Sequence, residues 1–115
     1  VPLHSISKTS MQTHSIFIET QREYLRIRIQ SSSLSTGTKE ALISRLALVD
    51  VTMVETLCLA ATKPLSSTNL RYVLCFLIHM NVNEIAVLFN VDPGSVYSIR
   101  YRLRKAFNNP SILPF

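Results

Sequence analysis

The sequence predicts an all-α protein of about five helices that closes on two helices joined by a tight turn. Three observations lead there. Apolar residues recur at i, i+3, i+4 and i+7 through most of the chain, the spacing that lines one face of an α-helix. Helix-start residues, Thr38, Ser66, Asn81 and Asp92, each stand just ahead of such a run. In the last run Arg100, Arg102, Arg104 and Lys105 gather within six positions without interrupting the apolar stripe.

A chain of 115 residues with 47% hydrophobic side chains is sized for one domain whose core needs no metal or disulfide staple. Its net charge of +5 favours an acidic partner, and the placement of that charge narrows the choice. Residues 1–68 hold seven basic and five acidic side chains, whereas 93–115 hold four basic ones and no acid. Cys58 and Cys75 have neither C-x-x-C nor Cys/His spacing and are expected to be reduced core residues. His4, His14 and His79 share no metal-ligand spacing, so neither a metal nor another cofactor is expected. No apolar run approaches the ~18 residues of a membrane span, and the opening "VPLHSISKTS" lacks the regions of a signal peptide. The expectation is a soluble, cytoplasmic protein with no membrane partner. A first residue of Val rather than Met is expected of a piece of a longer chain.

The elements follow in order. "VPLHSISKTSMQ" mixes Ser, Thr, Pro and Lys without a period and reads as an irregular arm. In "HSIFIETQREYLRIRIQ" Leu25, Ile27 and Ile29 alternate with polar residues as in a strand, yet Glu19, Arg22, Glu23, Arg26 and Gln30 fall on one narrow arc of a helical wheel. Helix is the expectation, with strand as the alternative. Its apolar arc is broad enough to be either core or a homodimer face over residues 16–29. "SSSLSTGTKE" is a turn cluster ending on Thr38, which predicts a helix from about Lys39 through Leu42, Leu46, Met53 and Leu57, bent near Asp50. Pro64 breaks that pattern, and Ser66 introduces a third helix over 67–79, with His79 at its end. Asn81 with Glu84 three residues later reads as a capping box, Asn90 as a left-handed turn residue, and Asp92-Pro93 as N-cap and first helical position. These signals predict helices over 82–89 and 93–107, and Pro110 prevents any extension. The chain divides at residue 63: 1–63 is an arm with supporting or dimerising helices, and 64–115 holds the closing helix pair.

A helix pair joined by so short a turn has the helix-turn-helix plan, in which the first helix crosses the DNA backbone and the second lies in the major groove. Ile85, Phe89, Val91, Val96 and Ile99 are apolar where the pair faces inward, and Ala86 is small where the helices cross. On the last helix Val96, Ile99 and Leu103 form one stripe; Gly94, Ser98, Tyr101 and Lys105 lie opposite, flanked by Tyr97 and Arg102.

Residues 64–107, "PLSSTNLRYVLCFLIHMNVNEIAVLFNVDPGSVYSIRYRLRKAF", resemble the LuxR-type (GerE) DNA-binding domain, and most of all the version that closes certain bacterial sensor-regulators. The likeness is densest in "SVYSIRYRLRKAF", and "VDVTMVETL" with "PLS" is similar to the lead-in of those regulators. The resemblance implies sequence-specific binding of double-stranded DNA for transcription control. It places base-edge contacts on Tyr97, Ser98 and Tyr101 and backbone contacts on Ser95, Arg102 and Lys105, with added charge from Arg100 and Arg104. Asn69 stands where the family has Glu, and the link "HMNVNEIA" is shorter than in its relatives.

Two other readings fit the same residues. The sigma-factor region-4 helix-turn-helix also has "EIA" followed by a "G-S-V" helix start, and it would bring RNA polymerase as a partner. A helical protein-interaction module would keep the fold without DNA. An enzyme is not expected: Glu84 has no second carboxylate or nucleophile in a plausible constellation, and two glycines cannot make a phosphate loop. No small-molecule substrate is evident.

Overall fold

The computed structural model describes residues 3–107 and 110–115, with side chains for 14–107, 110, 111 and 113–115. Helix α1 runs Leu3–Ser31, α2 Thr36–Ala47, α3 Val51–Ala60, α4 Ser67–Leu77, α5 Val82–Phe89 and α6 Pro93–Lys105, followed by a 3-10 turn Pro110–Ile112. The fold is all-α. Among the described residues no strand forms, and one isolated bridge joins Ala61 to Phe107. Among the described residues no helix is long and apolar enough to cross a membrane.

Three expectations about the N-terminal half need correction. The irregular arm over residues 1–12 is replaced by helix from Leu3 onward. Residues 3–31 contain neither Gly nor Pro, and Ser and Thr each cost only a few tenths of a kcal/mol in a helix, so the well-packed segment after residue 14 propagates backward. The segment over 16–30 is helical, as expected. The long second helix is two helices, because Asp50 accepts the Thr52 N–H at 3.0 Å and starts α3 afresh. Likewise the cap of α2 is Ser35 rather than Thr38: its Oγ accepts the Thr38 N–H at 3.2 Å.

The core sits where α1 meets α2, α3 and α4, and α6 packs on α5 and α4. Ile18, Leu25 and Ile29 of α1 are fully buried with Leu42, Leu46 and Val54, and the same cluster continues through Leu70, Val73, Leu74 and Cys75 to Ile85, Val96 and Leu103. Residues before and after position 63 therefore share one core. Cys75 is wholly buried in α4, and burial pushes its thiol pKa far up; Cys58 of α3 is half-buried and shifted the same way, by desolvation first and by Glu55 second. Neither is joined in a disulfide.

Arginine side chains tie the helices together by taking carbonyls that helix ends leave unsatisfied. Arg22 donates to the Val49 carbonyl at 3.1 Å, Arg28 to Leu88 at 2.9 Å, and Arg45 to Ile78 at 2.9 Å. Arg71 lies 3.6 Å over the Tyr24 ring and donates to Gln21 Oε1 at 2.7 Å, which satisfies the one buried polar side chain described in the core. Salt bridges link Arg22 to Glu19 and Arg26 to Glu23 on the outer side of α1.

Most of the apolar breadth of α1 is thus consumed within the molecule. Phe17 packs beside the buried residues, and only Ile16 and Ile27 remain exposed among its described large apolar side chains.

Candidate nucleic-acid interface

The helix pair that would form the interface is set by local chemistry at each of its joints. Helix α4 ends in a Schellman turn: His79 has φ 62°, its N–H donates to the Phe76 carbonyl and the Met80 N–H to Cys75, both at 3.1 Å. Met80, the residue beyond, is buried. Asn81 Oδ1 then accepts the Glu84 N–H at 2.8 Å while Glu84 Oε1 accepts the Asn81 N–H at 2.9 Å, which is the reciprocal capping box. Helix α5 buries Ile85, Ala86 and Leu88 and stops at Asn90, whose φ of 54° places it in the left-handed region. The Val91 N–H returns to the Ala86 carbonyl at 3.0 Å. Both chain reversals use a non-glycine left-handed residue followed by the same bonding pattern.

Asp92 begins α6. Its Oδ1 accepts the Ser95 N–H at 3.0 Å and its Oδ2 the Ser95 hydroxyl at 2.9 Å, while Pro93 occupies the first helical position. The Ser95 hydroxyl bond first, and the Ser95 backbone bond next, hold the Asp92 carboxyl below the ordinary aspartate range. Glycine at position 94 leaves room for this cap, since a Cβ there would stand 3.0 Å from Asp92 Oδ1. At the other end Ala106 gives its carbonyl to the Thr62 N–H at 2.7 Å and the Thr62 hydroxyl at 3.0 Å. Helix α6 itself ends at Lys105, two residues before the expected limit at 107, where the Phe107 N–H turns to the Arg104 carbonyl.

The two faces of α6 differ sharply. Val96 and Leu103 are buried and Ile99 is half-buried, whereas Gly94, Tyr97, Ser98, Tyr101, Arg102 and Lys105 are exposed. Tyr97 and Tyr101 are 60% and 61% exposed, so neither is buried against a neighbouring helix. Lys105 Nζ lies 4.6 Å from the Tyr101 ring centroid, a cation–π contact that holds ammonium and ring together on one patch.

Of the eight candidate residues, the structure brings Tyr97, Ser98, Arg100, Tyr101, Arg102 and Lys105 to the surface of α6. Two belong elsewhere. Ser95 is half-buried with its hydroxyl engaged by Asp92, so it builds the cap instead of reaching outward. Arg104 is half-buried and donates to the Phe115 backbone oxygen, which anchors the C-terminal tail. Val91, expected to face inward, is 37% exposed because the left-handed step at Asn90 turns the chain away from the α5 core.

The chain has eight arginines. Six of them, Arg22, Arg26, Arg28, Arg45, Arg71 and Arg104, have a hydrogen-bond acceptor within the molecule. Among the described residues, Arg100 and Arg102 form neither a hydrogen bond nor an ion pair, and both are exposed on α6. Sequence reading did not find one further surface, a cleft of about 530 Å³ in which Tyr97 and Arg100 meet His79 and Asn83 of the α4–α5 segment and Phe115 of the tail. No local signal marks it, since its walls come from three separated stretches of chain. Among the described residues no group of His, Cys, Asp and Glu is arranged to hold a metal ion. The chain matches no family model, no curated protein and no solved structure.

Proposed function

We propose that this protein binds double-stranded DNA through a helix-turn-helix made of α5 and α6, and that it regulates transcription from a cytoplasmic location. One observation carries the reading. Helix α6 is locked into the core by Val96 and Leu103 and turns outward a face of two tyrosines, a serine, a glycine and cations without a carboxylate partner among the described residues. Such a face suits a major groove: phosphates attract Arg102 and Lys105, and Tyr97, Ser98 and Tyr101 offer hydroxyls and ring edges to bases.

Selection of bound sequences from a random duplex pool tests specificity directly. A two-fold-symmetric consensus would also support pairing of two copies, for which α1 offers only Ile16 and Ile27 as exposed large apolar side chains among its described residues. Arg102→Ala and Lys105→Ala should each weaken binding to all sequences and lower the salt slope by about 0.9, with helicity unchanged by circular dichroism. Slopes equal to the parent's would remove this docking. A promoter-like, asymmetric consensus bound only with RNA polymerase core would favour the sigma-like alternative, and no affinity for any duplex at low salt would leave the protein-interaction module.

A further inference from the structure

The two exposed arginines without a partner among the described residues are two positions apart, which on an α-helix sets them about 160° apart around the axis. Arg102 borders the patch of Ser98, Tyr101 and Lys105. Arg100 points to the opposite flank, into the cleft of about 530 Å³. Among the described residues lining that cleft none is acidic, and His79, Asn83 and Tyr97 line it together with Arg100. Its outer wall is a built feature: Phe115 stacks on Phe76 with ring centroids 5.0 Å apart, and Arg104 holds the Phe115 backbone oxygen. In the first turn of α5 the capping box already engages the N–H groups of Asn81 and Glu84.

We infer that this cleft is a second phosphate-binding site, centred on Arg100 with His79 and Asn83, which takes the sugar–phosphate backbone of the DNA strand opposite the one met by Arg102. The inference rests on the DNA reading above and adds a docking geometry to it. A helix with its side chains is about 10–12 Å across and the major groove about 12 Å wide, so a helix lying in the groove brings its two flanks to the two phosphate walls. One cation on each flank fixes the rotation of α6 about its own axis and therefore which side chains meet the bases. A lone basic flank would leave that rotation free.

The test compares Arg100→Ala with Arg102→Ala in the full chain, binding random-sequence duplex across a salt series and a selected site in a phosphate-ethylation interference experiment. Both positions are exposed, so melting temperatures should match the parent's. Arg100→Ala is expected to lower the salt slope by about 0.9, as Arg102→Ala does, and the two variants are expected to lose interference on opposite strands. An Arg100→Ala slope equal to the parent's, with Arg102→Ala reduced, overturns the cleft as a phosphate site and leaves the DNA reading standing. Loss of interference on the same strand in both variants overturns the two-wall geometry. Absence of duplex binding by the parent overturns both readings together.

Discussion

Replacing Val96 by Asp tests the assignment of faces on α6 most severely. Val96 is 0% exposed and belongs to the core cluster shared by α5 and α6, while Ser98, two positions on, is exposed. Trimming Val96 to Ala removes about two methyl groups, at about 0.8 kcal/mol each plus a cavity contribution, for a loss of about 2–3 kcal/mol. At about 4–8 °C per kcal/mol for a domain near this size, the melting temperature should fall by roughly 10–20 °C. Asp forfeits the burial of the valine side chain and adds a carboxyl without a partner, bringing the cost to about 4–6 kcal/mol against the 5–15 kcal/mol of a typical domain. Burial raises the folded pKa of the new carboxyl, so the deficit should shrink as the pH falls from that raised value and be smallest below about pH 4, where the unfolded chain is protonated as well. Thermal melts by circular dichroism at neutral and acid pH measure all of this, with Ser98→Ala as the control expected within about 0.5 kcal/mol of the parent. If Val96→Asp melted with Ser98→Ala, the buried and exposed faces of α6 would be wrongly assigned.

The other predictions concern helix ends and the place of α1. His79→Gly and Asn90→Gly relieve left-handed strain, so each should raise stability, by about 1 kcal/mol for His79 and roughly half that for Asn90, in urea unfolding; a lowered midpoint in both would refute the turn geometry. The depressed Asp92 carboxyl contributes stability that is whole above about pH 4 and lost as the pH falls through its folded value; the gap between parent and Asp92→Asn should therefore close in acid, and a gap independent of pH would contradict the charged cap. Removing residues 1–35 takes Ile18, Leu25 and Ile29 from the core, a loss of about 5–9 kcal/mol at 1.5–3 each, so the remainder should lose cooperative melting. A truncated chain that still melts near the parent temperature would make α1 an appendage, free to serve as a dimer face.

What could be read in advance was what the chain encodes over a few residues. Ser66, the Asn81–Glu84 pair, Asn90 and Asp92-Pro93 act on backbone groups within one turn, and each sits in the structure where its chemistry requires. The break between α2 and α3 was harder, because "LALVDVT" contains neither Gly nor Pro and the apolar period runs through it; only Asp50 marks the new start. Residues 3–12 looked irregular for the same local reason, since a helix continued from a packed neighbour leaves no periodic trace of its own. The outward placement of Tyr97, Ser98, Tyr101, Arg102 and Lys105 followed from periodicity, whereas the removal of Arg104 and Ser95 from that face depended on Phe115 and on the way the Asp92 carboxylate turns back over the helix start. The Arg100 cleft joins three segments, and pairwise spacing along one of them holds no information about the others.

The two thiols give the molecule a pair of internal clocks. An alkylating reagent attacks only a thiolate that it can reach, and burial raises both cysteine pKa values. Cys58 on α3 needs only a partial opening before it reacts. Cys75, fully enclosed in the α4 segment between α1 and α6, must wait for the core itself to come apart. Modification of Cys75 in native buffer therefore reports the frequency of global opening, and the excess rate at Cys58 reports local loosening of α3, both without an added label or an engineered site.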